Sequence, residues 1–278
     1  MSRTRRPLSA LFVLLLFLSL ISPLHARSRS TPALSARSAV IMDHSNGKVL
    51  YGKNPHLRLP PASTTKVMTV LIALEKLPLH KPVLVSSRAW GVAPSKAGLT
   101  RGATYRAGDL MIAAIVASSN DAAVALAEAA AGTETEFVKL MNARAKKLGM
   151  KNTQFLNATG LPVKKTRRKQ FTTAYDLSKL MRHAAKDRWM DAMMGITYAR
   201  FRGSDGRYMT IKSHNKMLWR TPKFVKGKTG WTFASRHTFV GTNYAPQKKI
   251  IFAMLSSQKP WVDIEKLARF GLALKVHR

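Results

Sequence analysis

Two-residue apolar alternation is confined to the two ends of this chain, and helical spacing fills the middle. That distribution restricts the fold more than any other feature. Ser38 to Tyr51 reads as two strands around Asn46-Gly47, a dipeptide that tolerates the positive φ angles of a tight hairpin. The strand period returns from about residue 195. Phe224 to Thr232 is one such segment, and Val240 to Tyr244 and Lys249 to Leu255 flank Ala245-Pro246-Gln247 as a second hairpin. Trp261 to Leu274 closes the chain with a helix. Between these ends, Ser63 to Lys76, residues 109–117, residues 121–131, Glu134 to Leu148 and Thr173 to about Lys186 carry helical spacing. Gly132 and Gly149 end two of these helices, and Thr173-Ala-Tyr-Asp176 has the form of a capping box. The expected architecture is α+β: an antiparallel sheet built from both chain ends and flanked by helices, plus a helical lobe from the middle. With 278 residues, 46% of them hydrophobic, and no internal repeat, one such unit is enough.

The first residues bear on the compartment. Arg3, Arg5 and Arg6 precede an uncharged stretch from Pro7 to Leu24, and Ala26 then offers a small-residue cleavage point. This is the pattern of a secretory signal peptide over residues 1–26, with a retained anchor helix as the rival reading. Residues 27–37 read as a basic linker and residues 38–278 as the folded domain. Taking Arg3, Arg5 and Arg6 away with the leader leaves +31 of the +34 net charge. An exported protein of that charge meets anionic cell-envelope polymers rather than nucleic acid, and no stable membrane anchor is expected after cleavage. The absence of cysteine excludes a disulfide scaffold, a thiolate metal site and a cysteine nucleophile. The basic run Lys164 to Lys169 reads as a solvated loop or as a polyanion contact.

Ser63-x-x-Lys66 opens an apolar helix and sets an ammonium beside a hydroxyl on one helix face. A desolvated lysine near other cations can lose its proton and act as a base. The spacing alone is weak, because Ser45/Lys48, Ser213/Lys216 and Ser256/Lys259 repeat it in turns, loops or strands. Ser118-Ser119-Asn120 interrupts an apolar helical region, either as a helix cap or as part of a site. Lys228-Thr229-Gly230 falls on a strand, where glycine permits close approach. It is no phosphate loop, since Pro222 stands where that motif has its first glycine.

Ser-x-x-Lys, Ser-x-Asn and Lys-Thr-Gly in this order resemble the serine penicillin-binding enzymes. The stretches Pro61 to Thr69, Ala117 to Ala127, Asn142 to Met150, Asn157-Ala-Thr-Gly-Leu-Pro and Gly227 to Thr232 resemble the D-alanyl-D-alanine carboxypeptidases in particular. The resemblance implies a β-lactamase/DD-peptidase-like fold and a peptidase that needs no metal or cofactor. It implies that Ser63 is the nucleophile, that Lys66 takes its proton, and that Ser118 relays a proton to the leaving amine. Asn120 would hold Lys66 and the substrate backbone. Lys228, Thr229 and Gly230 would bind the substrate's terminal carboxylate end, and the backbone amides of Ser63 and Trp231 would form the oxyanion hole. Peptidoglycan stem peptides are the implied substrates and β-lactam antibiotics the implied covalent inhibitors.

The chain departs from many relatives at Lys226-Gly227, at Ser119 and at Gln258-Lys259, which bear on carboxylate affinity and substrate length. It is also expected to stop near the end of the catalytic unit, without the additional C-terminal sheet domain and amphipathic membrane anchor of many relatives. An endopeptidase cutting D-alanyl cross-links and an inert envelope-binding protein remain the alternatives. A class A β-lactamase is disfavoured because no Glu occurs from residue 137 to 264. Neither Gly-x-Ser-x-Gly nor His-Glu-x-x-His is present, so a nucleophile-elbow hydrolase and a zinc peptidase lack their motifs.

Overall fold

The computed structural model describes residues 30–163, 169–220, 225–246 and 248–274. The signal-peptide reading and most of the basic run lie outside the described residues. The expected N-terminal hairpin forms as β1 (Ser38–Asp43) and β2 (Val49–Lys53). A 3₁₀ turn (Ala62–Thr65) then leads into α1 (Lys66–Lys76). Next come β3 (Pro82–Leu84), α2 (Ser87–Gly91) and β4 (Thr104–Arg106), short elements in a stretch with no sequence period. The helical lobe continues with α3 (Ala107–Val116), α4 (Asn120–Ala131), α5 (Glu134–Lys147), α6 (Ala174–Ala184) and α7 (Arg188–Met193). The chain finishes with β5 (Tyr198–Arg202), β6 (Tyr208–Lys212), α8 (Met217–Arg220), β7 (Val225–Thr232), β8 (Arg236–Ala245), β9 (Lys248–Ser257) and α9 (Pro260–Ala273).

Five strands pair antiparallel in the order β2-β1-β9-β8-β7, so both chain ends do build one sheet. The strand β1 lies inside the sheet, between β2 and β9, and is buried along its whole length. Its side chains alternate between two cores: Val40 and Met42 join the helical lobe, while Ala39 and Ile41 face α9. β9 divides in the same way, with Ile251, Ala253 and Leu255 on one side and Ile250, Phe252 and Met254 on the other. Covered on both faces, these strands read as continuous apolar runs, and each side chain of this size stabilises by roughly 1.5–3 kcal/mol when buried. The small side chains of α4 let α1, α3 and α5 close around it, and Asn120 to Ala127 are all buried.

Local signals set several boundaries. Thr173 Oγ1 accepts from the Asp176 amide at the start of α6. The Asp176 carboxylate does not return to Thr173; it accepts from the Asn152 amide and the Thr153 hydroxyl, so only half of the capping box forms. Ser35 to Arg37 fall in the stretch read as a linker, yet they are tied into the fold. The Asp263 carboxylate accepts from the Ser35 amide and hydroxyl and from the Ala36 amide, and the Arg37 amide donates to the Leu255 carbonyl of β9.

Candidate active site

The 3₁₀ turn sets Ser63 at the base of α1, where Ala62 takes φ +48°. A side chain with a Cβ rarely adopts that conformation, so the surroundings must enforce it. Gly160 supplies one constraint: at φ +86°, a Cβ there would lie 1.8 Å from the Ala62 carbonyl oxygen. The turn is pinned from the sheet side as well. Thr64 Oγ1 and Thr238 Oγ1 both donate to the Pro61 carbonyl, at 2.7 and 3.1 Å. β7 then passes directly over the serine, and a Cβ on Gly230 would sit 2.8 Å from the Ser63 amide nitrogen and 2.4 Å from Thr238 Oγ1.

Lys66 is fully buried. Its Nζ lies 3.0 Å from Ser63 Oγ, 2.7 Å from Asn120 Oδ1 and 2.8 Å from the Thr159 carbonyl oxygen. Burial, and then the ammonium of Lys228, hold Lys66 well below its ordinary value, while Asp121 opposes the shift. Lys228 is also fully buried. Its Nζ donates to Ser118 Oγ at 3.0 Å and to the Thr229 carbonyl at 2.6 Å, and burial pushes it down to about 7.

The polar triplet between α3 and α4 is no ordinary cap. Ser119 occupies the N-cap position without a side-chain capping bond, and its hydroxyl is buried with no partner. Ser118 takes φ +60°, which turns its hydroxyl to Lys228. Asn120 points back to Lys66 and, through Nδ2, donates to the Pro94 carbonyl. The neighbouring Asp121 accepts from the backbone amides of Ala97, Gly98 and Leu99, fixing the loop over the site.

The structure therefore brings Ser63, Lys66, Ser118, Asn120, Lys228, Thr229, Gly230 and Trp231 to one place. A cavity of about 300 Å³ opens between them, walled by Ser63, Ser118, Asn120, Thr229, Gly230 and Trp231. Lys66 and Lys228 stand behind that wall rather than in it. For Lys228, expected at the carboxylate, the reason is its contacts with Ser118 and the Thr229 carbonyl, which draw the amine inward and leave Thr229 facing the cavity. The Thr159 carbonyl, Asp121 and His214 are additional parts of the site. Asn157-Ala-Thr-Gly-Leu-Pro carried the signal for the first, since Asn157 Oδ1 accepts from the Thr159 and Gly160 amides and so shapes that turn. His214 borders the cavity, and burial and the nearby Lys228 and Lys66 lower its pKa. A larger cavity, of about 740 Å³, lies beyond Leu161. Its carboxylates are already engaged, Glu134 by Arg88 and the Ala158 amide and Glu128 by the Ser86 hydroxyl, and among the described residues that line it there is no serine or lysine. Among the described residues no cluster of metal-ligating side chains occurs.

The sequence pattern of the Peptidase S11 family, described as D-alanyl-D-alanine carboxypeptidase, matches residues 25–259. The D-alanyl-D-alanine carboxypeptidase DacF of Bacillus subtilis is 31% identical over 265 residues, covering 92% of this chain and 67% of that protein. This chain thus spans about two thirds of the length of the first curated relatives it matches. A D-alanyl-D-alanine endopeptidase of Escherichia coli is 30% identical, covering 87% of this chain and 82% of its own length. Among solved structures, a D-alanyl-D-alanine carboxypeptidase of Mycobacterium tuberculosis superimposes with a TM-score of 0.84 at 30% identity, covering 90% of this chain and 96% of that one.

Proposed function

The chain belongs to the D-alanyl-D-alanine carboxypeptidase family, and on that premise we propose that it is an exported serine-type enzyme that removes the terminal D-alanine of peptidoglycan stem peptides. The observation that carries the reading is the setting of the Lys66 amine. A neutral amine has two hydrogens and one lone pair. Asn120 Oδ1 and the Thr159 carbonyl can only accept, so the two hydrogens go to them and the lone pair is left for the Ser63 hydroxyl. Burial and Lys228 favour this neutral form.

In the first step Ser63 Oγ attacks the carbonyl between the two D-alanines and its proton passes to Lys66. The amides of Ser63 and Trp231 face the developing oxyanion beneath β7. Collapse of the tetrahedral intermediate breaks the C–N bond, and the departing D-alanine nitrogen takes a proton through Ser118, which Lys228 holds in place. Water then hydrolyses the Ser63 ester. Thr229, aided by the positive potential of Lys228, receives the terminal carboxylate. The same chemistry makes β-lactams acylating inhibitors. The basic leader pattern and the surplus of cations support export and residence in the periplasm or on the cell wall, against anionic envelope polymers.

Mass spectrometry of products from pentapeptide monomers and cross-linked dimers tests the proposal. Release of terminal D-alanine from monomers is the expected result. Conversion of dimers to monomers alone would replace it with the endopeptidase reading, which the endopeptidase relatives favour. Ser63→Ala is expected to lose both cleavage and penicillin labelling, and labelling that survives would remove Ser63 from its role.

A further inference from the structure

The hairpin β5–β6 alternates cleanly. Phe201, Met209 and Ile211 point inward and are buried, whereas Tyr198, Arg200, Arg202, Tyr208, Thr210 and Lys212 point outward and are exposed. Cross-strand pairing sets Tyr198 opposite Lys212, Arg200 opposite Thr210 and Arg202 opposite Tyr208, so rings and cations interleave on one face. The Arg200 guanidinium lies 4.1 Å from the Tyr208 ring centre, and Lys212 Nζ lies 4.8 Å from that of Trp219. Tyr198, Tyr208 and Trp219 remain between 43% and 54% exposed. Stacking on rings orders the cations without neutralising them. Among the described residues no carboxylate lies within 4 Å of Arg200, Arg202 or Lys212. The hairpin's own acid, Asp205, sits in the turn and is taken up by the Arg207 amide and Thr100.

This face is continuous with the catalytic cavity. A groove of about 530 Å³ runs between β6 and the loop at Ser95, lined in part by Lys96 and Lys212, and it shares Ser95 and His214 with the cavity. A merely solvated strand face does not need three half-exposed aromatic rings. Rings that offer flat apolar surface, cations that lack acidic partners, and a groove leading to the nucleophile together fit a polymer that bears sugar rings and carboxylates. We propose that the outward face of β5–β6 is the docking surface for the peptidoglycan polymer whose stem peptides enter the cavity. The inference rests on the function proposed above and adds that the enzyme recognises its substrate as a polymer, not only through the terminal dipeptide.

The full chain and its Arg200→Glu/Arg202→Glu variant, with Arg200→Gln/Arg202→Gln as a milder pair, are compared in three assays. These are cleavage of a soluble pentapeptide, D-alanine release from purified cell-wall sacculi, and co-sedimentation with sacculi at low and raised salt. The expected result is unchanged soluble-peptide cleavage, which also reports an intact fold. Sacculus binding and sacculus cleavage should fall roughly tenfold, as two reversed exposed charges of modest individual effect imply, and the salt sensitivity of binding should shrink. The neutral pair should fall between. Unchanged sacculus binding in both variants overturns the proposal. A separate binding assay with a single-stranded DNA probe covers the other polyanion: a loss confined to that probe also overturns the proposal and would make the face a nucleic-acid surface. A wild-type protein that binds sacculi through this face but cleaves neither substrate would refute the peptidase reading and leave the docking surface standing.

Discussion

Replacing Lys228 with Met should stabilise the fold in a pH-dependent way while silencing the enzyme. Burial pushes Lys228 from 10.5 to about 7 in the folded protein. Below about pH 7 the lysine is charged in both states, and the folded state bears the whole desolvation penalty. Between about 7 and 10.5 the unfolded chain binds a proton that the folded chain does not, so stability rises with pH as the penalty is relieved. From about pH 6 to about pH 9 this single group restores roughly 2–3 kcal/mol. Methionine fills a similar volume and has no charge to desolvate. It leaves Ser118 Oγ and the Thr229 carbonyl without their donor, a loss of about 1–2 kcal/mol that does not vary with pH and so cancels between two pH values. Urea unfolding of both proteins at each pH gives the comparison. The stability difference, variant minus wild type, should be more favourable to the variant by roughly 2–3 kcal/mol at the lower pH. Removing Lys228 also takes one depressing influence from Lys66, which acts in the same direction. A difference that stays flat with pH would refute the buried, titrating amine and with it the account of how Lys66 is kept neutral.

Gly230→Ala places a methyl group 2.4 Å from Thr238 Oγ1 and 2.8 Å from the Ser63 amide, so β7 must move off the serine. Penicillin acylation should fall by about 10²–10³, the usual scale for a displaced oxyanion donor, with near-UV circular dichroism retained. Asp121→Asn exchanges a carboxylate that accepts from three loop amides for a group with a single acceptor oxygen. A drop in melting temperature is expected, reflecting about 1.5–3 kcal/mol per charged hydrogen bond lost. Because Asp121 raises the Lys66 pKa, the acidic limb of the acylation pH profile should also shift to lower pH.

What the sequence disclosed and what it concealed divide along physical lines. The helices α3, α4, α5 and α9 and the strands β7 to β9 were legible because their apolar residues repeat at 3.6 or fill a doubly covered strand. The stretch from β3 to β4 was not, since three-residue strands contain no period to read. Ser63 was expected at a helix start and lies in a 3₁₀ turn, a distinction made by Gly160 pressing on Ala62 from nearly a hundred residues away. The partners of Lys66 were half visible: Asn120 is a side chain in a recognisable triplet, but the Thr159 carbonyl is backbone and leaves no residue type to notice. The inward turn of Lys228 could not be read either, because alternation assigns a face to a residue and does not say what covers that face.

The site gathers features that each oppose folding. Ala62 and Ser118 hold positive φ angles, each a strain of about 1–3 kcal/mol. Two buried amines stand near enough for one to depress the other. No single element would hold such an arrangement; it persists because α1, the α3–α4 junction, the Asn157 to Leu161 turn and β7 are each anchored by cores remote from the cavity. The strain and the chemistry share one origin. The depressed amine suits the proposed role of base because it is costly as a cation, and the positive φ of Ser118 accompanies its contact with Lys228. Substitutions that relax the site, as Lys228→Met does, should therefore gain stability and lose catalysis together. Substitutions in the supporting turns, as at Gly160, should lose both. This difference in sign separates groups that perform the chemistry from groups that hold it in place.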